Sequence, residues 1–311
     1  MIDNTATTVS QLLSLRTVSG LGDKRVYELV TETDGIESVL EAPFEAFEDF
    51  HYVDHQTYEA IQNLDTDIRL YRERIHDALA DEIDVISIFD DRYPSQLRQH
   101  HAPLVLFARG DTDLLSSLGK SISFAGSRSA DDRAIEWTRE TSAALADAGY
   151  VIVSGGALGV DTAAHEGALE ADQSTISIQA GGLDNLYPPA NKELFQRISS
   201  NGLLLSEKLP DEEPSRHDFL ERNKTNSALS QAIVIGAAEP SGGTMSQYRD
   251  AKKQGTRVFV PTTGLNYEPT AGIEEILEEG TASSVSSAAA ILDTLGIKDT
   301  QEQTTLERWD K

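Results

Sequence analysis

The sequence predicts an α/β fold, an extended doubly wound Rossmann-like parallel sheet with a small N-terminal helical domain. From residue 83 onward, apolar runs of strand length alternate with helical stretches, a pattern typical of a parallel sheet covered by helices. The first 80 residues show apolar positions at helical spacing instead. A chain of 311 residues also has room for one domain of about 200 residues and a smaller one.

Residues 1–80 are predicted to form a helical domain. The turn Val18 to Gly22, followed by Asp23-Lys24-Arg25, resembles a helix-hairpin-helix or SAM-like module, and the amides of such a hairpin hold a DNA phosphate. In this segment, however, acidic residues outnumber basic residues by 16 to 6. That balance favours a small packing or protein-contact domain over a DNA-binding one.

Residues 81–280 are predicted to form the sheet domain. The predicted strands are Val85 to Phe89, Val105 to Ala108, Ser121 to Ala125, Tyr150 to Val153, Ser174 to Gln179, Leu203 to Ser206, Ala232 to Ile235 and Arg257 to Val260. Helices are predicted to begin near Asp131, Val160, Lys192, Asn223 and Met245. Residues 281–311 are predicted to form a helix through Ala288, Ile291, Leu292 and Leu295 and then a polar tail.

The composition excludes several classes of function. The chain has no cysteine and seven histidines, so we expect no disulfide, no cysteine nucleophile, no metal site and no cofactor. It has no apolar run long enough to span a membrane and no signal peptide at Met1 to Asn4, which predicts a cytoplasmic protein without a membrane partner.

The charge is strongly acidic. The net charge is −26, with 52 acidic and 26 basic residues, and the bases comprise 17 Arg and only 9 Lys. We interpret this spread of acid as solvation of a folded surface at high salt, which suggests a halophilic source. High salt weakens simple phosphate contacts, so any DNA binding must depend on backbone amides, arginine geometry and stacking.

Three glycine-rich loops follow predicted strands, at the edge where a parallel sheet binds its ligands. Backbone amides and helix N-termini favour phosphate there, and an arginine forms two parallel hydrogen bonds with a phosphate. Together the loops predict one site for a phosphate-bearing ligand. The loop residues are Gly126, Ser127 and Arg128 in the first, Ser154, Gly155, Gly156 and Gly159 in the second, and Ser241, Gly242, Gly243 and Thr244 in the third.

Asp161 and His165 are four residues apart and share a helix face. One interpretation is an acid/base pair. The favoured one is structural, with Asp161 bracing the glycine-rich turn and His165 packing beneath it. Because no serine elbow and no second carboxylate accompany them, we predict no catalytic residue and no enzyme activity.

Residues 214–257 are the basic exception in an acidic chain. This window has seven bases and four acids, and it contains Arg222, Asn223 and Lys224 close to the aromatic Phe219. We therefore add these three residues to the predicted DNA or phosphate site, although solvated helix faces also produce such runs.

The order of these motifs resembles the DprA/Smf family. The resemblance covers about residues 90–280, and the Ser154 to His165 run and the Arg222-Asn223-Lys224 triplet are its most specific parts. It implies a protein that binds single-stranded DNA and helps to load a RecA/RadA-type recombinase in recombination and natural transformation, as a homodimer. The matching motifs are Tyr93-Pro94-x-x-Leu97, Pro103 to Gly110, Gly126 to Arg128, Ser154 to His165, Gly181 to Asp184, Tyr187-Pro188, Ser206-Glu207, Phe219 with Arg222 to Lys224, Ser241 to Thr244 and Val258 to Pro261.

The chain departs from the family pattern at several positions. Gly236 stands where the family carries a glutamate, and Lys224 replaces an arginine, which loses a bidentate fork. Few residues remain beyond Gly280 for the winged-helix domain of many members.

Two alternatives to DNA binding stay open. The first is a sensor that binds a small nucleotide. The second is a nucleotide phosphoribohydrolase, but Gln247 occupies the position of the catalytic glutamate of such enzymes, and an amide cannot act as a general base.

Overall fold

A computed structural model of the protein describes residues 2–262 and 270–296. In these ranges nine strands form a single sheet. The strands are β1 (Asp84–Ser87), β2 (Val105–Gly110), β3 (Ser121–Gly126), β4 (Val151–Ser154), β5 (Thr175–Gln179), β6 (Leu203–Ser206), β7 (Ala232–Ala237), β8 (Arg257–Pro261) and β9 (Ala282–Val285).

The strand order is β1-β2-β6-β5-β4-β3-β7-β8-β9. The pairs β1·β2 and β2·β6 are antiparallel, and the remaining pairs are parallel. From β3 the chain first builds β4, β5 and β6 on one side and then crosses to β7 on the other. The topological switch point therefore lies between β3 and its neighbours β4 and β7, where open α/β sheets bind ligands.

Thirteen α-helices surround the sheet in the described ranges. They are α1 (Ile2–Thr17), α2 (Asp23–Glu32), α3 (Ile36–Glu41), α4 (His55–Gln62), α5 (Asp65–Ala80), α6 (Ser95–His100), α7 (Asp132–Asp147), α8 (Val160–Glu170), α9 (Lys192–Asn201), α10 (Arg216–Ala228), α11 (Gly243–Gln254), α12 (Ala271–Glu278) and α13 (Ala288–Thr294). None of these helices combines the length and the apolar character needed to cross a bilayer.

The central strands are apolar on both faces because helices cover both. On one face, Phe124 of β3 and Val234 of β7 pack with Leu145 of α7 and Ala164 of α8. On the other face, β7 and β8 pack against α11 and α12 through a second cluster that includes Tyr248. Continuous apolar strands are the expected result of burial on both sides. The mostly parallel sheet with helices on both faces confirms the predicted fold class.

The N-terminal helices share one apolar core with the sheet. Residues of α1, α2 and α5 belong to the same buried cluster as β1, β2 and β6. The predicted hairpin after α1 brings Asp23 into a small polar cavity of about 170 Å³ at this contact, with Arg16, His101 and Glu207. The start of α2 thus lies against the sheet region.

A partly buried ion pair joins the end of α6 to the end of β6 in this cavity. His101 Nε2 lies 3.2 Å from Glu207 Oε2, and both side chains are 17% exposed. Burial lowers the pKa of His101, but the hydrogen bond and the charge of Glu207 more than offset this and raise it. Burial raises the pKa of Glu207, and the hydrogen bonds of His101 and Thr225 bring it below its usual value.

Two elements differ from the sequence prediction. Helix α10 begins at Arg216 and not near Asn223, because Ser215 and Asp218 form a reciprocal capping box at its N-terminus. Strand β9 pairs with β8, and Val285 and Ile291 join the sheet core, whereas residues 281–311 were predicted to hold only a helix and a tail. The predicted tail, residues 297–311, lies outside the described residues.

Candidate nucleic-acid site

A crevice of about 450 Å³ opens at the topological switch point of the sheet. The turn after β3, the start of α8, the turn before α11 and one side of α10 enclose it. Its lining residues are Gly126, Ser127, Arg128, Ser129, Ala157, Asp161, Phe219, Leu220, Arg222, Asn223, Glu239, Gly242, Gly243, Thr244 and Gln247. The structure thus brings the first and third predicted loops together with Arg222 and Asn223.

Arg222 is the most deeply buried cation of the crevice. Its side chain is 8% exposed, and its Nη1 donates to the carbonyl of Ile178 at 3.2 Å. Burial lowers the pKa of Arg222, the carboxylate of Asp161 partly offsets this, and Arg128 lowers the pKa further. Since arginine stays protonated in proteins, the site holds a desolvated cation next to a second one. An anionic ligand would stabilise this arrangement.

The aromatic ring of Phe219 lies beside both arginines of the crevice. The guanidinium carbons of Arg128 and Arg222 lie 5.8 Å and 5.9 Å from its ring centroid, within cation-π range. Tyr187 contacts the same ring edge-to-face at 5.7 Å and is 44% exposed. A half-buried ring with an exposed aromatic neighbour, beside cations, suits a ligand that is both planar and charged.

The third loop presents the N-terminus of α11 to the crevice. Gly242 is the N-cap residue, in extended conformation, and Gly243 and Thr244 form the first helical positions. Among the described residues, none accepts a hydrogen bond from the Gly243 N–H. Unsatisfied amides and the helix dipole favour an anion here. Ser241 is exposed and is not among the lining residues.

The second loop supports the crevice from behind. Ser154, Gly155 and Gly156 are buried, and Ser154 Oγ donates to the Phe124 carbonyl. Gly159 has a φ of +80° and packs against the backbone of Ser127. The prediction of direct phosphate contacts is therefore corrected for these four residues, because packing and backbone approach account for their identity.

Lys224 also lies away from the crevice. Its Nζ forms an ion pair with Glu221 at 2.6 Å, and it is not among the lining residues. The reason is that α10 already begins at Arg216, so that the whole triplet is helical. Arg222 and Asn223 lie on the buried side of this helix, whereas Lys224 does not. The predicted helix start near Asn223, which would have placed Arg222 ahead of the helix, was wrong.

Asp161 stabilises the turn that leads into α8. Its carboxylate accepts a hydrogen bond from the Ala157 N–H at 3.2 Å. Burial raises the pKa of Asp161, while Arg222 and the amides of Ala157 and Gly155 lower it in part. The carboxylate is thus held by the hydrogen bond of the turn and by the charge of Arg222.

His165 is fully buried beneath the turn. Thr175 Oγ1 donates its single proton to the Ile152 carbonyl, so it accepts from His165 Nδ1 at 2.8 Å. This leaves Nε2 without a proton. Burial and the nearby Arg222 lower the pKa of His165 to about 3. A neutral, enclosed imidazole of this kind is a weak base with no access to a ligand.

Gly236, at the end of β7, occupies the position at which the family pattern has a glutamate, and its surroundings leave little room for a side chain. A Cβ atom at Gly236 would meet the Thr138 hydroxyl and Val160, so no side chain fits there. Glu239, three residues later, lines the crevice instead. Sequence reasoning missed this residue, and also Leu220, which is 42% exposed. An apolar residue at a solvent-facing helix position was the available signal for Leu220.

Fold and crevice together define a Rossmann-like protein with a candidate ligand site at the switch point of its sheet. The sequence profile of the family described as DNA recombination-mediator protein A matches residues 84–296. The chain therefore belongs to this family, and the resemblance to DprA/Smf is confirmed.

Individual relatives agree with this assignment. The chain is 33% identical over 210 residues to protein Smf of Synechocystis, which is 67% of this chain and 52% of that protein, so it spans about half the length of this relative. The structure of DNA processing protein A from Streptococcus pneumoniae matches with a TM-score of 0.65 at 29% identity, covering 88% of this chain and 98% of that one. DNA processing protein A from Helicobacter pylori matches with a TM-score of 0.60 at 34% identity, covering 69% and 95%.

Proposed function

We propose that the crevice binds single-stranded DNA and that the protein acts in DNA recombination and uptake. The observation that carries the proposal is the pairing of Arg128 and the buried Arg222 beside the ring of Phe219. Guanidinium groups and the N-terminus of α11 take phosphate, and the ring stacks on a base. The Helicobacter pylori relative has a described single-stranded DNA binding mode, which supports this ligand.

Single strands are favoured over duplex for a geometric and an electrostatic reason. A crevice of about 450 Å³ admits an unstacked nucleotide but not a base pair held within a helix. The net charge of −26 repels the denser charge of duplex DNA. Binding depends on a local site within an acidic surface, so it withstands salt better than diffuse electrostatic binding does.

The protein acts as a binder and not as an enzyme in this proposal. Gln247 stands where the related phosphoribohydrolases carry a glutamate, Asp161 is engaged by Ala157 and Arg222, and His165 is buried with a pKa of about 3. With Asp161 and His165 held in this way, neither serves as a general base for hydrolysis in this proposal. Incubation with AMP should release no free adenine above a control without protein.

Further parts of the proposal rest on the family and the composition. They are transfer of the bound strand to a RecA/RadA-type recombinase, a homodimeric state, a cytoplasmic location and adaptation to high salt. A second candidate is a sensor for a small nucleotide, because the crevice volume falls in the range of small-ligand sites.

Fluorescence anisotropy in about 2 M KCl separates these functions. Labelled oligo-dT, the matching duplex and a labelled mononucleotide are titrated with the protein. Preference for oligo-dT supports the proposal. Equal or tighter binding of the duplex contradicts it, and tighter binding of the mononucleotide supports the sensor. Arg128→Ala should weaken strand binding about tenfold or more, whereas Arg249→Ala, an exposed arginine of α11 outside the crevice, should have little effect.

A further inference from the structure

Gln247 lies on the floor of the crevice, one turn into α11. It is 5% exposed and lines the crevice with Thr244 and Asn223. Among the described residues its Nε2 has no hydrogen-bond partner. A buried amide without a partner is unfavourable, and it is rare unless a ligand or water completes it. The side chain therefore points to a ligand group that the protein itself does not provide.

A second primary amide lies nearby. Asn223 is 7% exposed and lines the same crevice, and no hydrogen bond of its side chain is recorded in the described part of the chain. The crevice is thus chemically divided. Arg128, Arg222 and the start of α11 supply positive charge, whereas Asn223 and Gln247 supply neutral donors and acceptors.

Primary amides are suited to base edges and poorly suited to phosphate. Each presents a donor next to an acceptor and so forms paired hydrogen bonds with a base edge that has the complementary pattern, as with N6 and N7 of adenine. In a single strand these edges are free. A phosphate, which offers only acceptors, would leave the amide oxygens unpaired.

We propose that Gln247, together with Asn223, recognises the edge of one nucleobase inserted into the crevice, and that Gln247 is a specificity-determining residue of this site. This inference rests on the proposed binding of single-stranded DNA. The phosphate groups flanking the base lie toward the arginines, and the base lies between Phe219 and the two amides. The protein then prefers one base at one position of the strand, with adenine favoured by the amide pattern.

Labelled oligonucleotides with abasic spacers and one central nucleotide test this. The central position carries dA, dC, dG, dT or a further spacer, and Kd values are measured by anisotropy in high salt. For the wild-type protein, we expect the dA strand to bind about tenfold more tightly than the fully abasic strand and more tightly than the other three. Equal binding of all five strands by the wild type would overturn the inference.

The variant Gln247→Met keeps the length of the side chain and removes both hydrogen-bonding groups. It should keep the affinity of the wild type for the abasic strand and lose the preference among bases. Because it removes a buried unpaired amide, its Tm should equal or exceed that of the wild type. Gln254→Met, on the same helix but outside the crevice, should keep the preference.

The isosteric variant Gln247→Glu gives a second test. It replaces the donor by an acceptor and should shift the preference toward dC, whose N4 amino group donates to carboxylates. An unchanged base preference in both Gln247 variants would overturn the inference while the proposed function stands. Failure of the wild type to bind any strand would overturn the proposed function itself.

Discussion

The guanidinium of Arg222 occupies the space into which a side chain at residue 155 would project. A Cβ atom built on Gly155 overlaps Nη1 and the central carbon of the guanidinium. The buried cation of the crevice therefore depends on the absence of a side chain on the loop after β4. This contact gives a direct physical role to a glycine that the sequence suggested as a phosphate ligand.

Gly155→Ala should accordingly displace Arg222 and weaken binding of single-stranded DNA. The methyl group either moves the guanidinium or forces the loop apart, and overpacking of this kind costs about 1 to 3 kcal/mol. Anisotropy with oligo-dT measures the first effect and urea unfolding the second.

Gly119→Ala is the matched control, because a Cβ atom there meets no atom within 4 Å and the residue lies outside the crevice. Both properties should stay close to wild type in this control. A Gly155→Ala protein with unchanged affinity and stability would contradict the role assigned to Gly155.

The positions of the glycine-rich loops were predictable from the sequence, but which loops line the crevice and which pack against the protein was not. Glycine runs after strands indicate close backbone approach, and that approach is real at Gly155 and Gly159. Whether the approaching group is a ligand or the protein itself depends on side chains far away in the sequence, such as Arg222, which reaches Gly155 from α10. A local sequence pattern does not reveal such a contact between residues that are far apart in the chain.

The N–H of Gly243 should contribute to phosphate binding. Proline is tolerated at the first helical position, and the extended conformation of Gly242, with ψ of 165°, is compatible with a following proline. Gly243→Pro therefore removes one donor without breaking α11.

We expect Gly243→Pro to weaken the binding of oligo-dT by about 1.5 to 3 kcal/mol, the value of a hydrogen bond to a charged group, while Gly243→Ala retains affinity. Circular dichroism verifies the fold of both variants. Equal affinities of the two variants would exclude a contact between this amide and DNA.

The ion pair of His101 and Glu207 should make stability depend on pH. The pKa of His101 is raised in the folded protein above 6.5, so its contribution is complete below pH 6.5 and is lost as pH rises through the folded value. The pKa of Glu207 is lowered below 4.5, so its contribution is lost only as pH falls through that lower value. Both contributions are complete between about pH 4.5 and pH 6.5, the two unfolded values.

His101→Gln should therefore lower the free energy of unfolding most near pH 5.5, by about 2 kcal/mol, and less at pH 8.5. Urea unfolding at the two pH values measures the difference. His217→Gln is the control, since His217 is 74% exposed and 3.6 Å from Glu221. A loss of stability for His101→Gln that is equal at both pH values would show that the pair contributes only as a neutral contact.

The start of α10 shows another limit of sequence reasoning. Its buried face carries Asn223, Thr225, Asn226 and Ser227, so the apolar periodicity that normally reveals a helix is weak there. The capping pair Ser215 and Asp218 was the readable signal. Placing the helix correctly would have turned Lys224 away from the site while leaving Arg222 and Asn223 within it.

The acidic surface should make folding depend on salt. A net charge of −26 repels itself in the compact state, and the described ion pairs are mostly short-range surface contacts that leave this surplus uncompensated.

Most of the screening of this repulsion occurs at low salt concentration, because the Debye length falls from about 10 Å at 0.1 M to about 3 Å at 1 M. Stability should therefore rise steeply up to about 0.5 M KCl and level off beyond it. Exclusion of salt from the protein surface would instead add stability steadily up to about 2 M. Differential scanning calorimetry across this range distinguishes the two shapes, and we expect a total rise in Tm of about 5 °C or more, roughly 3 kcal/mol for a chain of this size. A transition that stays unchanged from 0.1 M to 2 M KCl would show that the acidic residues solvate the surface without straining the fold, and would remove the composition as a reason to assign the protein to a high-salt environment.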